Sequence, residues 1–135
     1  MVTRPQHTEE IRHAIQRVLG DSAHLVMVFG SCASGTAGPE SDLDLAVDAG
    51  QTMTAVQRLD LTQALAQTTG RPIDLIDLRT VGEPLLGQIL THGRRVLGTD
   101  HAQAQYLTRH LIDMADFVPL QQRILRERRQ AWIGQ

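Results

Sequence analysis

Gly30-Ser31, ten intervening residues and then Asp42-Leu43-Asp44 join a tight, phosphate-friendly turn to two closely spaced carboxylates. The residues from His24 to Phe29 form a short apolar run that ends at Gly30, as a buried strand emptying into a loop would. From 42 to 48 the side-chain period of two sends Leu43, Leu45 and Val47 to one face and Asp42 and Asp44 to the other. One face is expected to build core and the other to present acid. Two carboxylates about 4 Å apart repel by roughly 4 kcal/mol at an effective dielectric near 20, so such a pair needs a proton or a cation. Mg²⁺ suits it, since that ion takes one or two carboxylates and completes its shell with substrate phosphates and waters. A third acid, Asp74, sits between Ile73 and Leu75 in another strand-like run. If this strand lies beside the first, three carboxylates converge. That would be enough to hold two metal ions about 3.5 to 4 Å apart for an in-line displacement at phosphorus.

Gly30 lets a backbone approach a triphosphate, neighbouring N–H groups form an anion-binding concavity, and Ser31 adds a hydroxyl donor. Cys32 to Gly35 is expected to make a short helical turn. Gly-Ser alone is a common loop dipeptide and Asp-x-Asp a common surface pair. The order of strand, Gly-Ser, spacer, Asp-x-Asp strand and later acid-bearing strand is what makes the pattern chemical rather than incidental.

On these residues the chain resembles the minimal nucleotidyltransferases of the DNA polymerase β superfamily, whose signature is Gly-Ser, ten residues and Asp-x-Asp with a third acid on a later strand. More narrowly it is similar to the MntA-type antitoxins encoded beside HEPN-domain toxins, over a stretch running from about Thr8 through the C-terminal helices. The resemblance implies an α/β (α+β) polymerase β-like fold: a small mixed sheet with helices packed on it and further C-terminal helices. It also implies ATP-dependent transfer of AMP to a tyrosine of a cognate HEPN-family RNase toxin. In that scheme Asp42 and Asp44 hold two Mg²⁺ ions, and Gly30 and Ser31 grip the terminal phosphates. Asp74 completes the metal site facing the acceptor and assists removal of the tyrosine proton. A free tyrosine has a pKa near 10, so the phenol needs that help.

The remaining elements are read from periodicity and caps. Thr8 is a candidate N-cap for a helix carrying Ile11, Ala14, Ile15, Val18 and Leu19 up to Gly20. A second helix is expected from about Thr54 to Gln67, closed by Gly70. It links the acidic strand to the one bearing Asp74, giving a small mixed sheet with helices on one side. Pro84 and Gly93 bracket a short helix, and Arg94 to Leu97 could add an edge strand. Beyond Asp100 the chain reads as helical, with Leu107, Leu111, Met114 and Val118 as a stripe. Pro119 should end or kink that helix. Ile124, Leu125, Trp132 and Ile133 follow on a last helix, so that the terminal segment looks like a lid or docking surface.

At 135 residues, 41% hydrophobic and with a formal net charge of -2, the chain reads as one domain, 1–135, with a core of about 8–98 and a helical segment of about 100–135. No apolar run suits a membrane span and Met1 to Gln6 lacks a signal-peptide core, so a cytoplasmic address is expected. All 13 basic residues are arginine, which excludes Schiff-base lysines and the Gly-Lys-Ser phosphate loop. Cys32 is the only cysteine; it invites a nucleophile reading that lacks a nearby histidine. Arg95 and His101 fit the loose spacing of HEPN ribonucleases, but Val96 to Asp100 reads as strand and turn rather than one helix face. Arg123, Arg126, Arg128 and Arg129 read as a solvated helix face, an acidic partner's surface or, less readily, an RNA contact, because aromatics at 3% leave few stacking platforms. Direct nucleic-acid binding is therefore not expected. Two other functions fit the sequence: a nucleotidyltransferase acting on a small molecule such as an aminoglycoside, and a binding-only antitoxin that blocks a nuclease with its acids.

Overall fold

The computed structural model describes residues 5–35, 38 and 41–133. Helix α1 spans Pro5–Leu19, followed by a 3-10 turn, Gly20–Ser22. Then come β1 (Leu25–Phe29), α2 (Ser31–Ser34), β2 (Leu43–Asp48), α3 (Ala55–Thr69), β3 (Ile73–Asp77), α4 (Leu85–His92), β4 (Arg94–Gly98) and α5 (Asp100–Ile133).

Local chemistry explains most of these boundaries. Thr54 caps α3 reciprocally: its hydroxyl accepts from the Gln57 N–H at 3.1 Å, and its own N–H donates to Gln57 Oε1 at 3.0 Å. Gly70 ends the helix in the left-handed conformation, φ 69°, that other residues adopt at a cost. Thr8, by contrast, is not a cap. The helix begins at Pro5, where a proline has no N–H to waste, and Thr8 lies inside its first turns. Pro119 does not end its helix either, since α5 runs unbroken for 34 residues. A proline forfeits one backbone bond, and the helical turns on both sides of it carry the helix through. The side chains of Val118, Trp132 and Ile133 lie outside the described ones.

The sheet has the order β3-β2-β1-β4, with β1 antiparallel to both neighbours and β2 parallel to β3 across the α3 crossover. Helices cover both of its faces, not one. Against Val26, Val28, Leu43, Leu45 and Val47 pack Ile11 and Ile15 of α1 with Leu61 and Leu65 of α3. Against Leu25, Met27 and Ala46 pack Leu86 and Ile89 of α4 with Tyr106 of α5. The reason lies in β1, where Leu25, Val26, Met27 and Val28 leave no polar side for solvent, so each face needs a cover. The face of β2 expected to carry only acid accordingly changes along its length. Asp44 is half-buried at one end, Ala46 is core, and Asp48 is buried at the other end.

Asp48 is satisfied by Tyr106, whose hydroxyl donates to Oδ2 at 2.7 Å, by the Gly50 N–H at 2.8 Å, and by Arg79 at 3.5 Å. Burial, then the adjoining Asp48 carboxylate, push the Tyr106 phenol well above its ordinary pKa. Arg109 donates to the Leu78 and Val81 carbonyls and lies 5.2 Å from the centre of the Tyr106 ring. The first half of α5 is thereby fixed to the sheet. On each edge strand an arginine from a helix caps a backbone carbonyl: Arg58 Nη1 reaches Leu75 O at 2.7 Å, and Arg12 reaches Val96 O at 3.1 Å.

Candidate active site at the ends of three strands

The strand register places Phe29 opposite Asp44 and Asp44 opposite Asp74, so two of the three acids lie side by side on adjacent parallel strands. Beside them the chain leaves β1 at Gly30, whose φ of 69° and ψ of -152° belong to glycine almost alone. A Cβ built on Gly30 would overlap Asp44 Oδ2 and lie 3.1 Å from its Cγ. Gly30 thus supplies both the turn and the room for the carboxylate. The Ala33 N–H donates to Gly30 O at 3.2 Å, and Gly35 closes α2 with its N–H on Ser31 O. The backbone around Ser31 is therefore held as a compact turn facing the acids.

The charge on this cluster is under strain. The Asp44 carboxyl is raised above its ordinary pKa first by burial, then by the negative charge of Asp74, a hydrogen bond with the Asp74 carboxyl, and the charge of Asp42. Asp44 and Asp74 therefore meet, whereas Asp42 precedes β2 and acts on Asp44 through space. Among the described residues no three acids, histidines or cysteines close into a protein-only metal cage. An all-oxygen donor set of this kind, with too few ligands for a protein-only cage and like charges that a cation would offset, fits Mg²⁺ delivered with a triphosphate.

The backbone at Asp42 is held at three consecutive residues. Arg71 Nη1 donates to Gly38 O at 2.8 Å and to Ser41 O at 3.0 Å. The Cys32 thiol lies 3.5 Å from Asp42 O as donor, and the Leu43 N–H donates to Pro72 O at 2.8 Å. Sequence reasoning gave Arg71 no role; its one signal was an arginine directly before Pro72 and the acid-bearing strand. Cys32 is buried, and burial pushes its thiol pKa up against the opposing pull of Arg71, with Asp44 and Asp42 adding to the rise. A neutral, buried thiol makes a poor nucleophile.

The other singled-out residues lie elsewhere. Arg95 is on β4 and bonds Asp100 at 2.8 Å and Gln103 at 3.0 Å, whereas His101 is exposed in the first turn of α5, so the two share no helix face. Arg123, Arg126, Arg128 and Arg129 are exposed on the far half of α5, beside exposed Ile124 and Leu125. Among the described residues no helix is long and apolar enough to cross a membrane.

Residues 9–102 match the polymerase beta nucleotidyltransferase family model. The chain is 39% identical over 75 residues to the protein adenylyltransferase MntA of Shewanella oneidensis. That alignment covers 56% of this chain and 54% of the relative, about half its length. A crystal structure of a toxin-antitoxin with AMP-PNP superposes with a TM-score of 0.77 at 27% identity, covering 89% of this chain and 96% of that one. A structure of a tri-AMPylated Shewanella oneidensis HEPN toxin in complex with its MNT antitoxin matches with a TM-score of 0.67 at 25% identity, covering 89% and 97%.

Proposed function

The chain belongs to the polymerase β nucleotidyltransferase family, and from that premise we propose that it is an antitoxin that transfers AMP from ATP to a tyrosine of a cognate HEPN-family RNase toxin. The observation that carries this reading is the meeting of Asp44 and Asp74 in register, with Gly30 shaped to admit the Asp44 carboxylate. An acid pair this costly in a free protein makes sense as a cation seat beside a phosphate-binding turn. A surface that merely blocked a nuclease would need no such pairing.

In this reading the turn at Gly30 and Ser31 holds the terminal phosphates of ATP. Asp42 and Asp44 would hold Mg²⁺, two ions in all, and Asp74 would complete the metal site toward the acceptor. The bound cations would supply charge neutralisation along the triphosphate and at the acceptor oxygen. Asp74 accepts the tyrosine proton; the phenolate oxygen bonds to the α-phosphorus as the bond to pyrophosphate breaks. Catalysis is then mostly positioning and electrostatics. ATP supply puts the reaction in the cytoplasm. The exposed apolar and arginine residues of the far half of α5 are the surface this reading assigns to the toxin, which brings the acceptor tyrosine with it.

The test is intact mass. Incubation with the toxin, ATP and Mg²⁺ should add AMP-sized increments to a toxin tyrosine, and Asp42→Ala or Asp44→Ala should abolish them while toxin binding persists. Neutralisation by those variants at substoichiometric ratio, with toxin mass unchanged throughout, would leave binding alone as the antitoxic principle.

A further inference from the structure

We infer that Arg71 is a positioning residue for Asp42, setting the carboxylate that the sheet itself does not hold. The inference rests on the adenylyl-transfer reading above and deepens it. Asp44 and Asp74 are fixed by strand pairing, but Asp42 lies one residue before β2 begins. Its placement falls to whatever holds the residues beside it. Gly38 and Ser41 bond each other, through the Ser41 N–H on Gly38 O at 3.2 Å and the Gly38 N–H on Ser41 Oγ at 2.9 Å. Arg71 reaches across 33 and 30 residues of sequence to bond both carbonyls with one nitrogen, Nη1. Its charge also acts on Cys32, whose thiol touches Asp42 O. The next residue after Arg71, Pro72, receives the Leu43 N–H. The Arg71-Pro72 step thus grips the chain immediately before and immediately after Asp42.

Such a residue touches neither substrate nor reacting atom. Its removal should loosen one metal ligand while leaving the Gly30 turn, the Asp44–Asp74 pair and both cores in place. The effect belongs in turnover and in Mg²⁺ demand rather than in ATP affinity, at a size typical of partners that orient a metal ligand, about 10- to 100-fold.

The experiment compares the parent with Arg71→Met, Arg71→Lys and Asp42→Asn, each assayed with the toxin, ATP and varied Mg²⁺. Hydrogen exchange of the ligand-free proteins is followed alongside. Expected for Arg71→Met are kcat lowered by about 10- to 100-fold, a KM for ATP within about threefold, a raised half-saturating Mg²⁺, and faster exchange confined to residues 41–43. Arg71→Lys, which can still donate to two carbonyls, should recover most of the loss. If Arg71→Met does not fold, Arg71→Gln, with one amide donor, takes its place in the same comparison. Parent-like turnover, Mg²⁺ dependence and exchange in the arginine variants, with Asp42→Asn inactive, overturns the role of Arg71 alone. A fully active Asp42→Asn overturns the site reading beneath it.

Discussion

Gly30 and Asp44 share one small volume: the space a Cβ would occupy on Gly30 is filled by Asp44 Oδ2. The consequence is that no side chain can be added at Gly30 without moving the acid of the neighbouring strand. Gly30→Ala should be destabilised by about 1–3 kcal/mol from the backbone conformation alone. The displaced carboxylate should lower adenylyl transfer by about 100-fold or more. Thermal melting and turnover measured on the same sample check both. A stable, active alanine variant would mean that Asp44 has another place to go.

Asp44→Asn should abolish transfer and yet stabilise the ligand-free protein at neutral pH, by about 0.5–1 kcal/mol, the scale of like charges opposed across strands. The sign follows from linkage. The folded-state pKa of Asp44 is raised above its ordinary 3.8, so between those two values the folded chain holds a proton that the unfolded chain has released. Stability from this group is complete below the lower value and is lost as pH rises through the raised one. The parent's melting temperature, minus that of the asparagine variant, should therefore fall with rising pH across that window. A flat difference would mean that neither burial nor the charge of Asp74 raises the Asp44 carboxyl.

Tyr106→Phe removes one hydrogen bond to a buried carboxylate while Gly50 and Arg79 remain on Asp48. A loss of about 1.5–3 kcal/mol in unfolding free energy is expected, read by denaturant titration, with transfer unchanged well below the melting point. Asp48 is four residues from Asp44 along β2 and in the core, so a fall in turnover without a fall in stability would reassign Tyr106 from scaffold to chemistry.

The parts of the molecule legible in the sequence are those governed by neighbouring residues. Thr54 with Gln57, Gly70, the β1 run and the alternation through Asp44 all act within a few positions, and the elements they specify formed where expected. The parallel pairing that brings Asp74 beside Asp44 followed from the helix between their strands. What stayed hidden depends on distance in sequence. Arg71 meets Gly38 and Ser41 across 33 and 30 residues, and Tyr106 meets Asp48 across 58. No local pattern distinguishes these from ordinary surface arginine and core tyrosine. The cover on the second sheet face was legible in principle, since β1 has no polar side, but on β2 a single small residue, Ala46, marks that face as core between Asp44 and Asp48. Pro119 shows the limit of a local rule, because one missing backbone bond does not outweigh the turns on either side.

The arginines that cap Leu75 O and Val96 O bear on how the molecule behaves among copies of itself. An outer strand offers unpaired carbonyls and amides to any extended chain that drifts by, and proteins with such edges are prone to strand addition and aggregation. Here α3 and α1 each lend a guanidinium to an outer strand, Arg58 on β3 and Arg12 on β4. A stray segment seeking to extend the sheet must displace a charged group at either side. Each margin of the four-stranded sheet thus carries a guanidinium seated on an edge carbonyl, the one at β4 also paired with Glu9 at 2.9 Å, which counts against this small sheet serving as a template for its own polymerisation.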